Sequence, residues 1–131
     1  MAALSDHSEA LLLDWLMTTG SATRPTAWYV ALYHTTAPSD SGGGTEVSTG
    51  GYARQSVTFA AATSPGGTTS NTGTVSFTAS GADYGTVTHI GIFDAPSSGN
   101  LLWHGAMTAS KTIADGDTLE FSAGNIDLTL A

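Results

Sequence analysis

The sequence predicts an all-β fold: a single-domain β-sandwich, jelly-roll-like, of about eight strands with one N-terminal α-helix. Three observations predict it. The 131 residues supply one hydrophobic core and are too few for two ordinary domains. Beyond Pro25 the apolar residues recur at every second position, the period of a strand. Clusters of Gly, Ser, Pro and Asp interrupt these runs at short intervals, as tight turns between short strands require.

Residues 1–24 are assigned to the helix and a linker, and residues 26–131 to the sandwich. Ser5 can cap the helix, Asp6 and Glu9 suit its positive N-terminal end, and Leu4, Leu11, Leu12 and Trp15 recur at helical spacing. Gly20 and Pro25 end it. Such a helix is expected to pack over an open sheet edge or the mouth of the sandwich. Its other use is as a docking arm on a neighbouring subunit.

The run from Trp28 to His34 has the aromatic and branched content of a core strand. The stretch from Ala37 to Gly44 shows neither period and reads as an exposed loop. Tyr52 to Ala60 alternates, with Ala53, Gln55, Val57 and Phe59 on one face, and reads as one half-buried strand. Further strands are expected at Thr74 to Phe77, Val87 to Asp94, Leu101 to Met107, Lys111 to Ile113, Thr118 to Phe121 and Ile126 to Leu130. The five residues Pro96 to Asn100 have hairpin length, so the strands they join should pair antiparallel. Within that hairpin Trp103 is expected to face inward against Ile90 and Ile92, in a structural role.

Composition excludes several classes. A 40% hydrophobic content argues against disorder, and no apolar run approaches the roughly 20 residues that span a bilayer, so no membrane is expected as a partner. Asp6, His7, Ser8 and Glu9 stand where the apolar part of a secretory signal would begin, so cytoplasmic synthesis is expected. Without cysteine there is no disulfide framework and no thiolate ligand or nucleophile. A formal charge of −8 has the wrong sign for a phosphate backbone, so direct nucleic-acid binding is not expected. Charged residues are only 11% of the chain, and hydroxyls and backbone amides must supply most surface polarity.

No residue pattern points to catalysis, a cofactor or a metal. His34, His89 and His104 form neither a His-x-His pair nor a His-Glu-x-x-His helix. Asp115 and Asp117 flank Gly116 without the further ligands of a calcium loop and suit a hairpin turn. Asp83 and Asp94 bracket one strand and suit turn caps better than an acid pair for glycoside cleavage. No serine sits in a Gly-x-Ser-x-Gly elbow, and Gly42-Gly43-Gly44 is not followed by the lysine of a phosphate loop. The protein is therefore not expected to be an enzyme. The candidate partner-contact residues are Gly42, Gly43 and Gly44, in a loop that another chain would order, together with Tyr52 and Tyr84 beside glycine-containing turns.

Two blocks carry a resemblance. The first runs from Val30 to Val47 and on through Gly51-Tyr52-Ala53-Arg54. The second is Gly85-Thr86-Val87-Thr88-His89-Ile90-Gly91-Ile92-Phe93-Asp94-Ala95, continuing through Gly99-Asn100-Leu101-Leu102-Trp103-His104-Gly105, Lys111-Thr112 and Gly116-Asp117-Thr118-Leu119. With them the chain resembles a family of short tailed-phage and prophage virion proteins, often labelled tail-fibre proteins. Compact β-proteins of this size also serve as trimeric decoration proteins on phage heads. The resemblance implies a virion protein, made in the host bacterial cytoplasm, with a structural role and no catalytic motif. The leading expectation is a capsid decoration, or cement, protein: a homotrimer binding the major capsid protein or other virion proteins. The alternative is a tail-tip or tail-fibre module that binds a host cell-surface glycan through Tyr52 or Tyr84.

Overall fold

A computed structural model describes residues 2–130. Along the chain it places β1 (Ala2–Leu4), α1 (Asp6–Met17), β2 (Tyr29–His34), β3 (Gln55–Ser56), β4 (Thr68–Ser70), β5 (Val75–Thr78), β6 (Gly85–Phe93), β7 (Leu101–Ile113), β8 (Thr118–Phe121) and β9 (Asp127–Thr129). The fold is all-β with one N-terminal helix, as the period of two beyond Pro25 predicts.

The strands are shared unevenly among the sheets. Instead of two comparable sheets there is one five-stranded sheet, in the order β1-β7-β6-β2-β3, and two separate pairs, β4-β9 and β5-β8. The cause lies in residues 52–60, read from sequence as one strand. Only Gln55 and Ser56 form a ladder, against β2. Val57 then bonds back to the Trp28 carbonyl, while the Thr58 carbonyl and the Ala60 amide turn to residues 70–72. One segment crosses between two sheets, and neither ladder grows long.

Alternation decides the packing. Val30 and Leu32 of β2 enter the main core with Phe77, Val87, Ile92, Leu119 and Ile126, while Ala31 and Tyr33 point to the opposite face beside Phe93 and Leu101. In β5, Val75 and Phe77 are buried and Ser76 and Thr78 exposed. The Phe77 ring stacks on Tyr52 at 6.1 Å and meets Phe121 edge-on at 6.5 Å. These rings pack the segment leading into β3 against β5-β8.

The predicted hairpin is present: β6 and β7 pair antiparallel, with Ile92 opposite Trp103 and Ile90 opposite Gly105. Asp94 holds its turn by accepting the Asn100 backbone N–H at 2.7 Å and the side-chain Nδ2 at 2.9 Å. Burial pushes the Asp94 carboxyl up, but those bonds outweigh it and hold it below the usual range. Strand β7 runs unbroken through Thr108, Ala109 and Ser110, where the sequence reading leaves a gap.

Ser5 caps α1 as predicted and does more. Its Oγ accepts the Ser8 N–H at 3.2 Å and donates to the Leu101 carbonyl, and its own N–H bonds the Leu102 carbonyl at 3.0 Å. The helix start is thereby fixed to β7, which β1 already flanks, with Leu4 opposite Trp103. The C-terminal half leaves the body: Leu13, Trp15, Leu16 and Met17 are each more than 60% exposed.

Candidate functional site

The residues expected to meet a partner are not brought together. Gly42, Gly43 and Gly44 lie in a tight turn closed by reciprocal backbone bonds between Ser39 and Gly42, at 2.9 and 2.8 Å. All three glycines have positive φ, and a Cβ on Gly44 would strike the Pro38 backbone at 2.7 Å. The Asp6 N–H bonds the Asp40 carbonyl at 2.9 Å, and His104 Nε2 meets Asp40 Oδ1 at 2.7 Å. These bonds tie the turn to the start of α1 and to β7 of its own chain.

Tyr84 is buried, its hydroxyl donating to the Thr78 carbonyl at 2.9 Å and its ring edge-on to Tyr52 at 5.9 Å. That placement corrects its assignment as a contact residue, because a buried ring offers nothing to a ligand. Tyr52 is half-buried and equally committed: its hydroxyl accepts the Leu32 N–H at 3.0 Å and donates to Glu46 Oε2 at 2.6 Å. Both side chains are part of the interior.

Tyr52 leads to a cluster that the sequence reading missed. Arg54 Nε donates to Glu46 Oε2 at 2.9 Å and Nη2 to Glu46 Oε1 at 2.8 Å, a two-pronged pair. Arg54 Nη1 donates to the carbonyls of Ala95 and Ser98, and the guanidinium lies 3.6 Å over the Phe93 ring. Burial pushes the Glu46 carboxyl up, but the bonds and charge of Arg54, with the Tyr52 bond, win and hold it below its usual range. Burial and the Glu46 carboxylate together push the Tyr33 phenol up to about 12. The cluster ties Glu46, which bridges to Tyr33 of β2, to the β6-β7 turn and is structural. Its signal in the sequence is scarcity: with three basic residues in the chain, Arg54 standing inside an alternating segment marks a specific pairing.

The open surface lies elsewhere. A groove of about 710 Å³ runs between β7 and the β8-β9 side. Trp103, Met107 and Phe121 form its apolar surface, and Lys111, Glu120, Asn125 and Asp127 bring charged and amide groups to it. Trp103 lies opposite Ile92, as expected, but is half-buried, packing partly on the core and partly against the groove. A second, more apolar groove of about 510 Å³ continues on the other side of Trp103, lined by Leu11, Leu12, Trp28, Phe59, Leu128 and Leu130 among others. His34 and His89 bond neighbouring threonines, and among the described residues no group of three or more His, Cys, Asp or Glu is placed to hold a metal ion.

Fold and surface together define a small β-protein whose open features are two grooves and an exposed apolar helix end. The chain belongs to the Podophage GP4 fiber I protein gp80 family, whose model matches residues 3–129. It is accordingly a structural protein of a phage, as the resemblance in its two sequence blocks implies. No curated protein matches the chain. No helix among the described residues is long and apolar enough to cross a membrane.

Proposed function

We propose that the protein is a tail-fibre module that holds a host cell-surface glycan in the groove beside Trp103. The observation that supports this reading is the pairing of ring faces with hydrogen-bonding groups in one open groove. A sugar ring has an apolar C–H face that lies well on an aromatic side chain and a rim of hydroxyls that needs donors and acceptors. Trp103 and Phe121 provide the first, and Lys111, Glu120, Asn125 and Asp127 the second. The adhesive reading therefore survives the loss of Tyr84 and Tyr52 as contacts, with a different set of residues.

Binding of purified protein to host cells and to their extracted surface polysaccharide tests this. Asn125→Ala with Asp127→Ala removes exposed groups and should leave the melting temperature unchanged while weakening binding at least about tenfold, or roughly 1.4 kcal/mol. Unchanged binding by that variant and by Trp103→Phe would overturn the groove. Head decoration remains the second reading, favoured by the exposed apolar end of α1, which could seat on a capsid lattice. Antibody labelling of the particle separates them: label on the tail supports the fibre module, and label over the head supports decoration.

A further inference from the structure

The helix α1 sheds its own support as it proceeds. Ser8, Leu11 and Trp15 follow one another at helical spacing on the side turned to the body, yet they pass from buried through half-buried to 68% exposed. On the far side Leu13, Leu16 and Met17 form a second stripe at i, i+3 and i+4, all more than 60% exposed. Leu12 joins this exposed end to the apolar groove of about 510 Å³, whose other wall ends at the half-exposed Leu130. Helix end and groove are one continuous apolar surface.

We propose that a second copy of this chain covers that surface, the C-terminal half of α1 from one copy seating in the groove of the other. Three features favour a second copy as the occupant. The exposed fractions of Leu12, Leu13, Trp15, Leu16, Met17 and Leu130 leave on the order of 700 Å² of apolar side chain in water. That area exceeds the patch of an ordinary monomer and approaches the roughly 800 Å² per partner of a stable interface. The surface is also complementary to itself, since it presents both a projecting helix and an apolar groove able to receive one. Its charges match in the same sense: Asp14 stands on the helix and Arg24 lines the groove, and neither has an ion-pair partner among the described residues. In a chain of formal charge −8, an unpaired arginine at the groove is the group an acidic helix from another copy needs. The groove beside Trp103 stays open in this arrangement, because it lies beyond that side chain.

Light scattering and sedimentation of the purified full chain test the proposal. Wild type should have a mass above that of one chain, and Leu13→Glu with Leu16→Glu should be monomeric with an unchanged circular dichroism spectrum and a melting temperature that no longer depends on protein concentration. Asp14→Arg and Arg24→Asp should each weaken association, and the two together should restore it, which only a contact between copies of this chain can produce. A wild-type monomer at concentrations up to about 100 μM overturns the proposal. So does a Leu13→Glu, Leu16→Glu variant that keeps its mass, or one whose monomeric parent loses only its attachment to phage particles. In that last case the surface belongs to another virion protein.

Discussion

Replacing Arg54 by alanine tests whether the buried cluster holds the fold. The Arg54 side chain is 8% exposed and that of Glu46 27%, and the guanidinium makes four hydrogen bonds besides covering Phe93. Removing one member of a buried ion pair costs about 3–5 kcal/mol, because the other charge is left without compensation. Water reaches about a quarter of Glu46 and softens that, so the lower end applies, and the lost contact with Phe93 adds about 0.5–1 kcal/mol. The total of about 3–4 kcal/mol is a large part of the roughly 5–15 kcal/mol of an ordinary domain. For a chain of this size it corresponds to a fall of about 11–15 °C in melting temperature. Calorimetry and urea unfolding of Arg54→Ala beside wild type would measure it. A fall under about 3 °C, with an unchanged urea slope, would show that the cluster is a surface decoration and that the reasoning about its burial fails.

Three further outcomes are expected. Because the folded Glu46 carboxyl titrates below its unfolded value, its contribution is complete above about pH 4.5 and disappears as pH falls through the folded value. The stability gap between wild type and Glu46→Gln should therefore be constant near neutrality and close in acid, as urea titrations at a series of pH values would read. Gly50→Ala should cost about 2–4 kcal/mol, since φ is +67° and a Cβ would lie 2.5 Å from the Ala82 carbonyl oxygen and 3.0 Å from the Tyr84 ring. Thermal melting would show it. Ser5→Ala should cost about 2 kcal/mol through the lost cap and the orphaned Leu101 carbonyl, and should speed amide exchange in α1 before any other element.

Legibility followed the physics of each element. The α1 cap was readable because Ser5, Asp6 and Glu9 act within one turn, and β2 because its aliphatic and aromatic alternation needs no partner to be seen. The β6-β7 hairpin announced itself through its turn residues. Strands β1 and β4 were invisible: Ala2–Leu4 is too short to show a period, and Thr68–Ser70 has no apolar residue, so only their partners define them. The change of sheet within residues 55–60 is a tertiary decision that local alternation cannot encode. For the site, Trp103 was placed on the right strand and opposite the right partner. Its half-exposure depends on how far β7 stands from the β8-β9 side, which no spacing along the chain reports. The aromatic pair Tyr52 and Tyr84 misled for a related reason: glycine turns suggest surface, but the hydroxyls found the Leu32 amide, Glu46 and the Thr78 carbonyl inside.

The attachment of α1 near its N-terminal end, with its C-terminal half standing free, makes it a lever. Tension applied at Met17 passes along the helix to Ser5, whose bonds to the Leu101 and Leu102 carbonyls take it together with the β1-β7 ladder. From there it spreads through β7 into β6, the longest ladder of the molecule. Forces directed along β7 strain these bonds in parallel, whereas forces directed across it open them in turn. A load that enters through this helix would thus meet a stiff joint in one direction and a yielding one at right angles to it.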